Sequence, residues 1–232
     1  MQILPAVDVL DGKVVRLLRG DYSNVTIYGD DPVAMARKWY SQGVDIIHVV
    51  DLEGARSGTP DFDLWAALGS SGVPFQLGGG LRTAGLASRA LEAGAQRVVL
   101  GSAAVWEPEV LGTLVRRHGA DAVVAAVDVR DGKAIGAGWL DEGKVVSEVI
   151  GAIVTLGVEW ALATGIETDG TLTGPDRQML DVIRKQAPDL KLIASGGVSS
   201  TEDVHTLREA GLAGCIIGRA LYEGRVSIDE LI

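Results

Sequence analysis

Short, almost wholly apolar runs recur along the chain and are separated by stretches with helical character. The runs are rich in Val, Ile, Leu and Ala and show no polar alternation, which is typical of strands in a parallel sheet with both faces covered. We predict strands over residues 2–8, 44–51, 73–78, 97–101, 121–128, 158–164, 190–195 and 214–218.

Helix signals fill the gaps between these runs. Acidic or hydroxyl capping residues and prolines in the first turn mark the starts, and glycines mark several of the ends. We predict helices that open at Asp31, Asp61, Thr83 and Pro108, one over 143–156, and others that open near Pro175, Ser200 and Arg219. Strands and helices that alternate in this way without a linker predict an α/β fold, a single (β/α)8 TIM barrel. An open doubly wound sheet is the alternative.

The chain also repeats itself with an offset slightly over half its length of 232 residues. The acid Asp8 at the end of the first strand, and the Asp-Gly-Lys turn after it, recur 120 residues later around Asp128. Glycine-rich strand ends recur 117 residues apart, at Gly80 and Gly197. An open sheet does not explain this repeat. We predict one domain with an internal two-fold repeat of half-barrels, approximately residues 1–120 and 121–232.

Charge and composition narrow the function. A formal net charge of -10 argues against nucleic acid and against anionic membrane surfaces as partners. No apolar run reaches the roughly 18 residues that a membrane helix needs, and the start lacks a secretory signal. The single cysteine, Cys215, fits a reducing compartment, so we expect a cytoplasmic protein. We also expect a monomer, although no sequence feature specifies the oligomeric state. The histidines His48, His118 and His205 are scattered, so we expect no metal.

Two strand-end acids are the candidate catalytic groups. In a parallel barrel the carboxyl ends of the strands converge on one mouth, and strands one and five face each other across it. Asp8 and Asp128 end those strands, so one can remove a proton while the other donates one. Thr164 ends strand six and can orient a substrate hydroxyl. The alternative is that each aspartate only caps the loop that follows it.

Glycine-rich turns are the candidate phosphate sites. Backbone N–H groups without side chains, followed by a helix N-terminus, bind anions. Two matched sets occur, Gly79 and Gly80 with Gly101 and Ser102, and Gly196 and Gly197 with Gly218 and Arg219. Two such cradles predict a small-molecule bisphosphate substrate with one phosphate at each end and the acids at its middle. The alternative is that the glycines only permit tight turns.

Other side chains have weaker signals. Arg16 and Arg82 are candidates to bind phosphate or carboxylate, although an exposed arginine is the default expectation. Trp139 can stack on a heterocycle or pack over the barrel mouth. Asp169 belongs to a site or only to a turn, and His48 lies in a buried run that favours a structural histidine.

Four segments are expected to cover the mouth. Residues 9–30 and 129–141 follow the acid-ending strands, and Lys13–Leu17 reads as a hairpin strand. The segments 52–60 and 165–175 are rich in Gly, Thr and charge, and we predict that they form lid loops.

Several motifs together resemble a known family over nearly the whole chain. They are Pro5-Ala6-Val7-Asp8, Asp11-Gly12-Lys13-Val14-Val15-Arg16-Leu17, Gly20-Asp21, His48-Val49-Val50-Asp51-Leu52, Gly78-Gly79-Gly80-Leu81-Arg82, Gly101-Ser102-Ala103, Asp128-Val129-Arg130-Asp131-Gly132-Lys133, Gly138-Trp139, Asp169-Gly170-Thr171-Leu172 and Ser195-Gly196-Gly197-Val198. These segments look like the phosphoribosylformimino-aminoimidazole carboxamide ribotide isomerases of histidine biosynthesis.

The resemblance implies an Amadori rearrangement, in which an aminoaldose becomes an aminoketose, with no cofactor or metal and on a substrate with two phosphates. It implies that Asp8 is the general base for the C2 proton and that Asp128 is the general acid that opens the ribose ring. Thr164 would orient Asp128 or the substrate.

Three alternatives stand beside this expectation. The cyclase of the same pathway shares the repeat and both aspartates, but its pattern has a cysteine where this chain has Ala6. The dual-substrate isomerases, which also act on phosphoribosylanthranilate, usually have an arginine shortly before the Gly-Trp pair, where this chain has Gly136-Ala137-Gly138. A non-catalytic phosphosugar-binding barrel would share the glycine turns. We predict a single activity on the ribotide.

Overall fold

A closed parallel barrel forms the centre of the structure, a computed structural model that describes residues 1–139 and 141–232. The strands of this part of the chain are β1 (Gln2–Leu10), β2 (Lys13–Leu18), β3 (Asp21–Gly29), β4 (Ile47–Asp51), β5 (Phe75–Gly78), β6 (Arg97–Leu100), β7 (Val123–Arg130), β8 (Lys133–Ile135), β9 (Lys144–Val145), β10 (Trp160–Gly165), β11 (Lys191–Ser195) and β12 (Gly214–Ile217).

The helices lie outside the barrel and connect its strands. They are α1 (Pro32–Tyr40), α2 (Leu52–Ser57), α3 (Phe62–Gly69), α4 (Ala84–Glu92), α5 (Ser102–Trp106), α6 (Glu109–His118), α7 (Val146–Thr155), α8 (Arg177–Gln186), α9 (Thr201–Glu209) and α10 (Arg219–Tyr222), with 3-10 turns at Ala120–Ala122 and Ile228–Glu230. None of these described helices combines the length and the apolar character needed to cross a membrane.

The barrel strands pair in the order β1, β4, β5, β6, β7, β10, β11, β12, and β12 pairs with β1 again. All of these pairings are parallel. The predicted strands and the (β/α)8 barrel are therefore confirmed, and the open doubly wound sheet is wrong because the ring closes through the β7–β10 pairing. In this ring β1 and β7 lie four strands apart, on opposite sides.

Side-chain alternation along the strands separates two apolar regions. One lies between the strands and the helices, and the other fills the barrel interior. On β1 the inward positions are Leu4 and Ala6, and Asp8 is the next inward position towards the mouth. The interior also contains Ile46, Val99, Val124, Ala126, Trp160, Leu162, Ile193 and Ile216. The same alternation therefore brings the last inward residue of each strand to the carboxyl-terminal mouth.

The opposite end of the barrel is filled by a tryptophan that contacts two cations. The guanidinium carbon of Arg97 lies 4.0 Å from the ring centroid of Trp160, and the Lys191 ammonium lies 5.2 Å from it. The Trp160 indole N–H donates to Asp121 at 3.2 Å. A cation over the face of tryptophan is attracted by the ring quadrupole. These contacts seal the end of the barrel that is remote from the strand-end acids.

Two short helices were not expected from the sequence. The prediction of a lid loop over 52–60 is wrong for Leu52–Ser57, which form α2. Asp51 caps this helix by accepting the Gly54 N–H at 2.8 Å. The second is α5, Ser102–Trp106, directly after the strand end at Gly101. Both helices are too short to show a hydrophobic period. The other predicted lid loop, over residues 165–175, has no such helix, because residues 166–176 form turns and irregular structure.

Two hairpins cover the mouth, one after each acid-bearing strand. β2 pairs antiparallel with β1 and continues into β3, and β8 pairs antiparallel with β7. The registers match with the offset of 120: Asp8 faces Val15, and Asp128 faces Ile135. The predicted hairpin strand at Lys13–Leu17 is confirmed as part of β2. The division of the domain between residues 120 and 121 stays a prediction.

Candidate active site

A cavity of about 260 Å³ opens at the carboxyl-terminal mouth. Both strand-end acids line it, so the structure brings together groups that are 120 residues apart. Eleven predicted site residues lie around it: Asp8, Arg16, Gly79, Gly80, Arg82, Gly101, Ser102, Asp128, Trp139, Thr164 and Asp169. The walls come from both halves of the repeat.

Asp8 is held in an ion pair. Arg16 lies on β2, next to the residue that pairs with Asp8 across the hairpin, and its Nη1 donates to Asp8 Oδ2 at 2.8 Å. The exposed fractions of the two side chains are 11% for Arg16 and 13% for Asp8. Burial raises the pKa of Asp8 to about 6, although Arg16 opposes this rise, and the charge of Asp169 adds to it. The carboxyl group therefore changes its charge close to neutral pH, as a general base requires.

Asp128 has neutral donors instead of a cation. The indole Nε1 of Trp139 donates to Asp128 Oδ2 at 2.8 Å. Thr164 lies directly beside Asp128 in the register of β10 and β7, and its hydroxyl also hydrogen-bonds the carboxyl. Burial raises the pKa of Asp128, while the hydrogen bonds from Trp139 and Thr164 oppose this rise. A raised pKa favours the protonated form, which is the form that donates a proton.

The first glycine cradle opens on the main cavity. Gly79 and Gly80 have φ of 97° and 70°, and a Cβ on either would collide with the backbone of Asp51 or Gly54. Only glycine therefore fits at these two positions. Gly101 and Ser102 lie on the same cavity, and the Ser102 Oγ accepts the N–H of Ala137 at 3.0 Å.

Arg82 lies at the rim of this cradle. Its side chain is exposed, and its Nη2 donates to the backbone carbonyl of Ala55 at 3.2 Å. One guanidinium nitrogen would lie 3.0 Å from a Cβ placed on Gly58. The arginine therefore connects the end of α2 with the glycine turn at the edge of the cavity.

The second glycine cradle opens on a smaller, adjoining cavity of about 20 Å³. Gly196, Gly197, Gly218 and Arg219 line this smaller cavity, and none of them lines the main one. Gly196 and Gly197 have φ of 87° and 80°. The structure therefore places the two predicted cradles on two neighbouring cavities, whereas the sequence predicted one shared space.

Arg16 stands between the two cavities and lines both. A Cβ on Gly218 would lie 2.5 Å from the Arg16 Cζ, so the guanidinium rests against the second cradle while it pairs with Asp8. Its Nε is buried and has no hydrogen-bond partner in the described part of the chain. Asp8, Arg16 and the second cradle thus form one continuous row.

Asp169 lines the same wall. It lies in the turn after β10 and borders both cavities. Burial raises its pKa, and Arg16 and the Gly170 N–H lower it. Asp169 therefore lies in a turn and also borders both cavities, and its role in binding stays a prediction. Arg219 is held near the same turn, where its Nη1 donates to the Gly170 carbonyl at 2.8 Å.

Some cavity residues were missed or assigned only a structural role. His48 was expected to be structural, but it lines the cavity, where its Nδ1 lies 2.8 Å from the buried Gln76 amide nitrogen. Burial and Arg16 lower its pKa to about 3, so the ring is neutral at physiological pH. Ser195 lines both cavities and was missed. The sequence could have predicted its position, because Ser195 lies two residues after the inward-facing Ile193 on the same strand.

The described residues hold no metal-ligand cluster. Within residues 1–139 and 141–232, no group of three or more His, Cys, Asp or Glu side chains is placed to hold a metal ion. The lone cysteine, Cys215, is buried, and burial raises its pKa to about 12. The protonated thiol is a poor nucleophile at neutral pH.

Known proteins resemble this chain over its whole length. A family model described as "Histidine biosynthesis protein" matches residues 2–227. A relative from Roseiflexus castenholzii is 45% identical over 100% of this chain and 98% of its own length. It is named 1-(5-phosphoribosyl)-5-((5-phosphoribosylamino)methylideneamino) imidazole-4-carboxamide isomerase.

Relatives with the same name come from other organisms. The protein of Thermomicrobium roseum is 44% identical over 99% of this chain and 96% of its own length. That of Synechococcus sp. strain CC9902 is 41% identical over 100% of this chain and 92% of its own length.

Proposed function

This chain belongs to the histidine biosynthesis protein family, and we propose that it catalyses the aldose–ketose isomerisation for which its relatives are named. One observation carries the proposal. The two acids of the repeat line one cavity, and each has a different partner, Arg16 for Asp8 and Trp139 for Asp128. An isomerisation by proton transfer needs one carboxyl in each protonation state.

The proposed substrate carries two phosphoribosyl groups, as the name of the relatives states. A phosphate would lie in each glycine cradle, where backbone N–H groups meet the anion. The first cradle borders the cavity of the acids, and the second lies beyond Arg16. A net charge of -10 gives an unfavourable overall field, so Arg16, Arg82 and Arg219 supply the local positive charge.

Ring opening is assigned to Asp128. Its protonated carboxyl gives a proton to the ring oxygen of the aminoaldose, the bond from C1 to that oxygen breaks, and the nitrogen lone pair forms a C1=N bond. The resulting carboxylate accepts the N–H of Trp139 and the hydroxyl of Thr164. Donors that are already oriented stabilise the charge as it develops.

Proton transfer at carbon is assigned to Asp8. Its carboxylate removes the C2 proton, the electron pair forms C1=C2, and the nitrogen regains its lone pair. The protonated Asp8 then returns a proton to C1, while the C2 hydroxyl proton returns to Asp128 and the ketone forms. Both carboxyls end in their starting states, so this sequence requires no external oxidant or reductant.

The decisive experiment is to incubate the purified protein with the ribotide and to follow the product by NMR. We expect complete conversion of the aldose signals to those of the ketose, with turnover far above that of the D8N/D128N double variant. Titration calorimetry should show that this variant still binds the ribotide. Saturable binding by the wild-type protein without any product would favour the phosphosugar-binding barrel and would disprove the isomerase.

The single-substrate prediction has a separate test. Phosphoribosylanthranilate lacks the second phosphoribosyl group that the second cradle would hold, and no arginine occupies positions 136–138. We expect no conversion of this compound at enzyme concentrations that convert the ribotide. Rescue of tryptophan-free growth in a strain without phosphoribosylanthranilate isomerase would contradict the prediction.

A further inference from the structure

The turn between β2 and β3 touches the tryptophan that hydrogen-bonds Asp128. A Cβ placed on Gly20 would lie 2.6 Å from Trp139 Cε3 and 2.8 Å from Trp139 Cζ3. Real Cβ atoms do not approach carbon this closely, so the indole rests on the bare backbone of Gly20. The first-half hairpin and the second-half loop therefore meet over the cavity at this contact.

The backbone at Gly20 is not unusual in itself. Arg19 and Gly20, with φ of 52° and 72°, form the two central residues of a tight turn between Leu18 and Asp21. Positive φ at both positions is the signature of a type I′ hairpin turn. Asp11 and Gly12 show the same pair of angles, 50° and 70°, but no atom lies within 4 Å of a Cβ on Gly12.

Trp139 needs external support because its own conformation is costly. Its φ is 72°, a region that bulky residues avoid. Its indole nitrogen donates to Asp128, and its backbone N–H donates to the Gly136 carbonyl at 2.7 Å. Gly20 covers the six-membered ring of the indole, on the side of the first-half hairpin. These contacts together hold the indole on the carboxyl group.

We propose that Gly20 is a positioning residue for the reaction: its missing side chain lets the β2–β3 turn press Trp139 against Asp128. Gly20 touches no reacting group and acts through the indole. The catalytic consequence rests on the proposed function, whereas the contact itself does not. A methyl group at position 20 displaces the indole and takes its N–H away from Asp128.

The structural arm of the test uses the indole N–H resonances of the five tryptophans in a two-dimensional 1H–15N spectrum. The Trp139 signal is assigned by its loss in W139F. In G20A we expect this signal to move and to exchange faster with water, because its hydrogen bond to the carboxyl is lost. In G12A, which carries the same backbone strain without the collision, it should stay in place. An unchanged Trp139 signal in G20A would overturn the proposal.

The kinetic arm measures kcat and KM across pH for the same variants. A hydrogen bond to a charged group contributes about 1.5–3 kcal/mol, so kcat of G20A should fall about tenfold or more. The loss of a donor that lowers the pKa of Asp128 should also move the alkaline limb of the profile to higher pH. G12A should keep the wild-type profile. A fall in the kcat of G20A without any movement of the alkaline limb would indicate a purely structural effect and contradict the proposal.

A double-variant cycle keeps the test decisive if G20A folds poorly. In the W139A background the collision is absent, so the Tm decrease caused by G20A should shrink to that caused by G12A. An equal decrease with and without the indole would disprove the contact. If the wild-type protein converts no ribotide, the proposed function fails, while the resonance and the Tm cycle still decide the role of Gly20.

Discussion

Asp8 and Asp128 occupy the same position in the two halves, yet their partners differ in kind. Arg16 lies eight residues after Asp8, and the residue eight after Asp128 is Gly136, which has no side chain to offer. Trp139 reaches Asp128 from further along its hairpin. The duplicated strand supplies the carboxyl in each half, and burial raises the pKa of both; the non-equivalent hairpin residues oppose this rise with a cation in one half and a neutral donor in the other. Symmetry in the barrel therefore coexists with different surroundings for the two carboxyls, which is the basis for the proposed division of acid and base roles.

The two cradles differ in the same manner. The first opens directly on the acids, and the second lies behind Arg16, in a cavity of about 20 Å³. A phosphate in the second cradle would therefore meet the guanidinium that also pairs with Asp8. In the proposed function, binding there would couple phosphate recognition to the protonation state of Asp8.

Replacement of each acid tests the comparison most strongly. D8N and D128N should each lower kcat by about 10²–10⁴, the usual contribution of a general acid or base. With Asp8 as base, wild-type activity should fall as the pH drops through about 6, and D8N should lose this limb, while D128N should lose the alkaline limb. pH–rate profiles of the residual activity measure both. The same limb lost from both variants would show that the acids are not specialised.

Glycine replacements compare the cradles. G80A and G197A would place a Cβ against the backbone of Gly54 and Gly174, respectively, and so distort each anion site. We expect KM to rise about 10–100-fold in both, because hydrogen bonds to a charged group contribute about 1.5–3 kcal/mol. G224A, at φ 67° with no atom within 4 Å, is the matched control. An unchanged KM in one of the two variants would remove that cradle from the site.

Replacement of Arg16 tests whether this cation gives Asp8 a different pKa environment from that of Asp128. Arg16 lowers the pKa of Asp8, so R16M should raise that pKa and move the acid limb to higher pH. Activity should therefore fall more at about pH 6 than at about pH 8, where even a raised carboxyl is ionised. KM should also rise if the guanidinium meets the second phosphate. An acid limb that stays in place would show that Arg16 does not tune the base.

Stability should show the smallest difference between the acids. The folded-state pKa of Asp128 is raised, so the folded protein holds this proton more tightly, and ionisation reduces stability as the pH rises through that pKa. D128N removes this cost, and at about pH 8 we expect Tm to rise by about 2–4 °C for each 1 kcal/mol gained. The gain should vanish below the unfolded pKa, at about pH 3.

The pKa of Asp8 is also raised, so the loss of its ionisable carboxyl in D8N would by itself raise Tm at about pH 8. However, D8N leaves the buried Arg16 without its partner. Loss of one member of a buried pair is costly, so D8N should not share the gain in Tm. Thermal melts of both variants at the two pH values measure the contrast. Equal Tm changes at about pH 8 would contradict the difference in their surroundings.

The apolar runs, their spacing and the repeat were enough to predict the barrel and its mouth. Period-two alternation is local, so Leu4 and Ala6 on the inside imply that Asp8 faces the inside as well. The acids and the first cradle could therefore be assigned to one cavity from the order of residues. Helices α2 and α5 could not be predicted from the sequence, because five or six residues are too few to show a hydrophobic periodicity. In addition, α2 depends on a cap from the residue that ends the preceding strand.

Other features depend on contacts between segments far apart in the chain. The order of residues does not reveal that Arg16 would divide the space between the acids and the second cradle, or that Gly20 would meet Trp139 119 residues later. Distances between loops depend on how the barrel closes and on the backbone angles of each hairpin. Local composition therefore specifies the strands and the chemical groups at their ends, and long-range packing specifies which of these groups become partners.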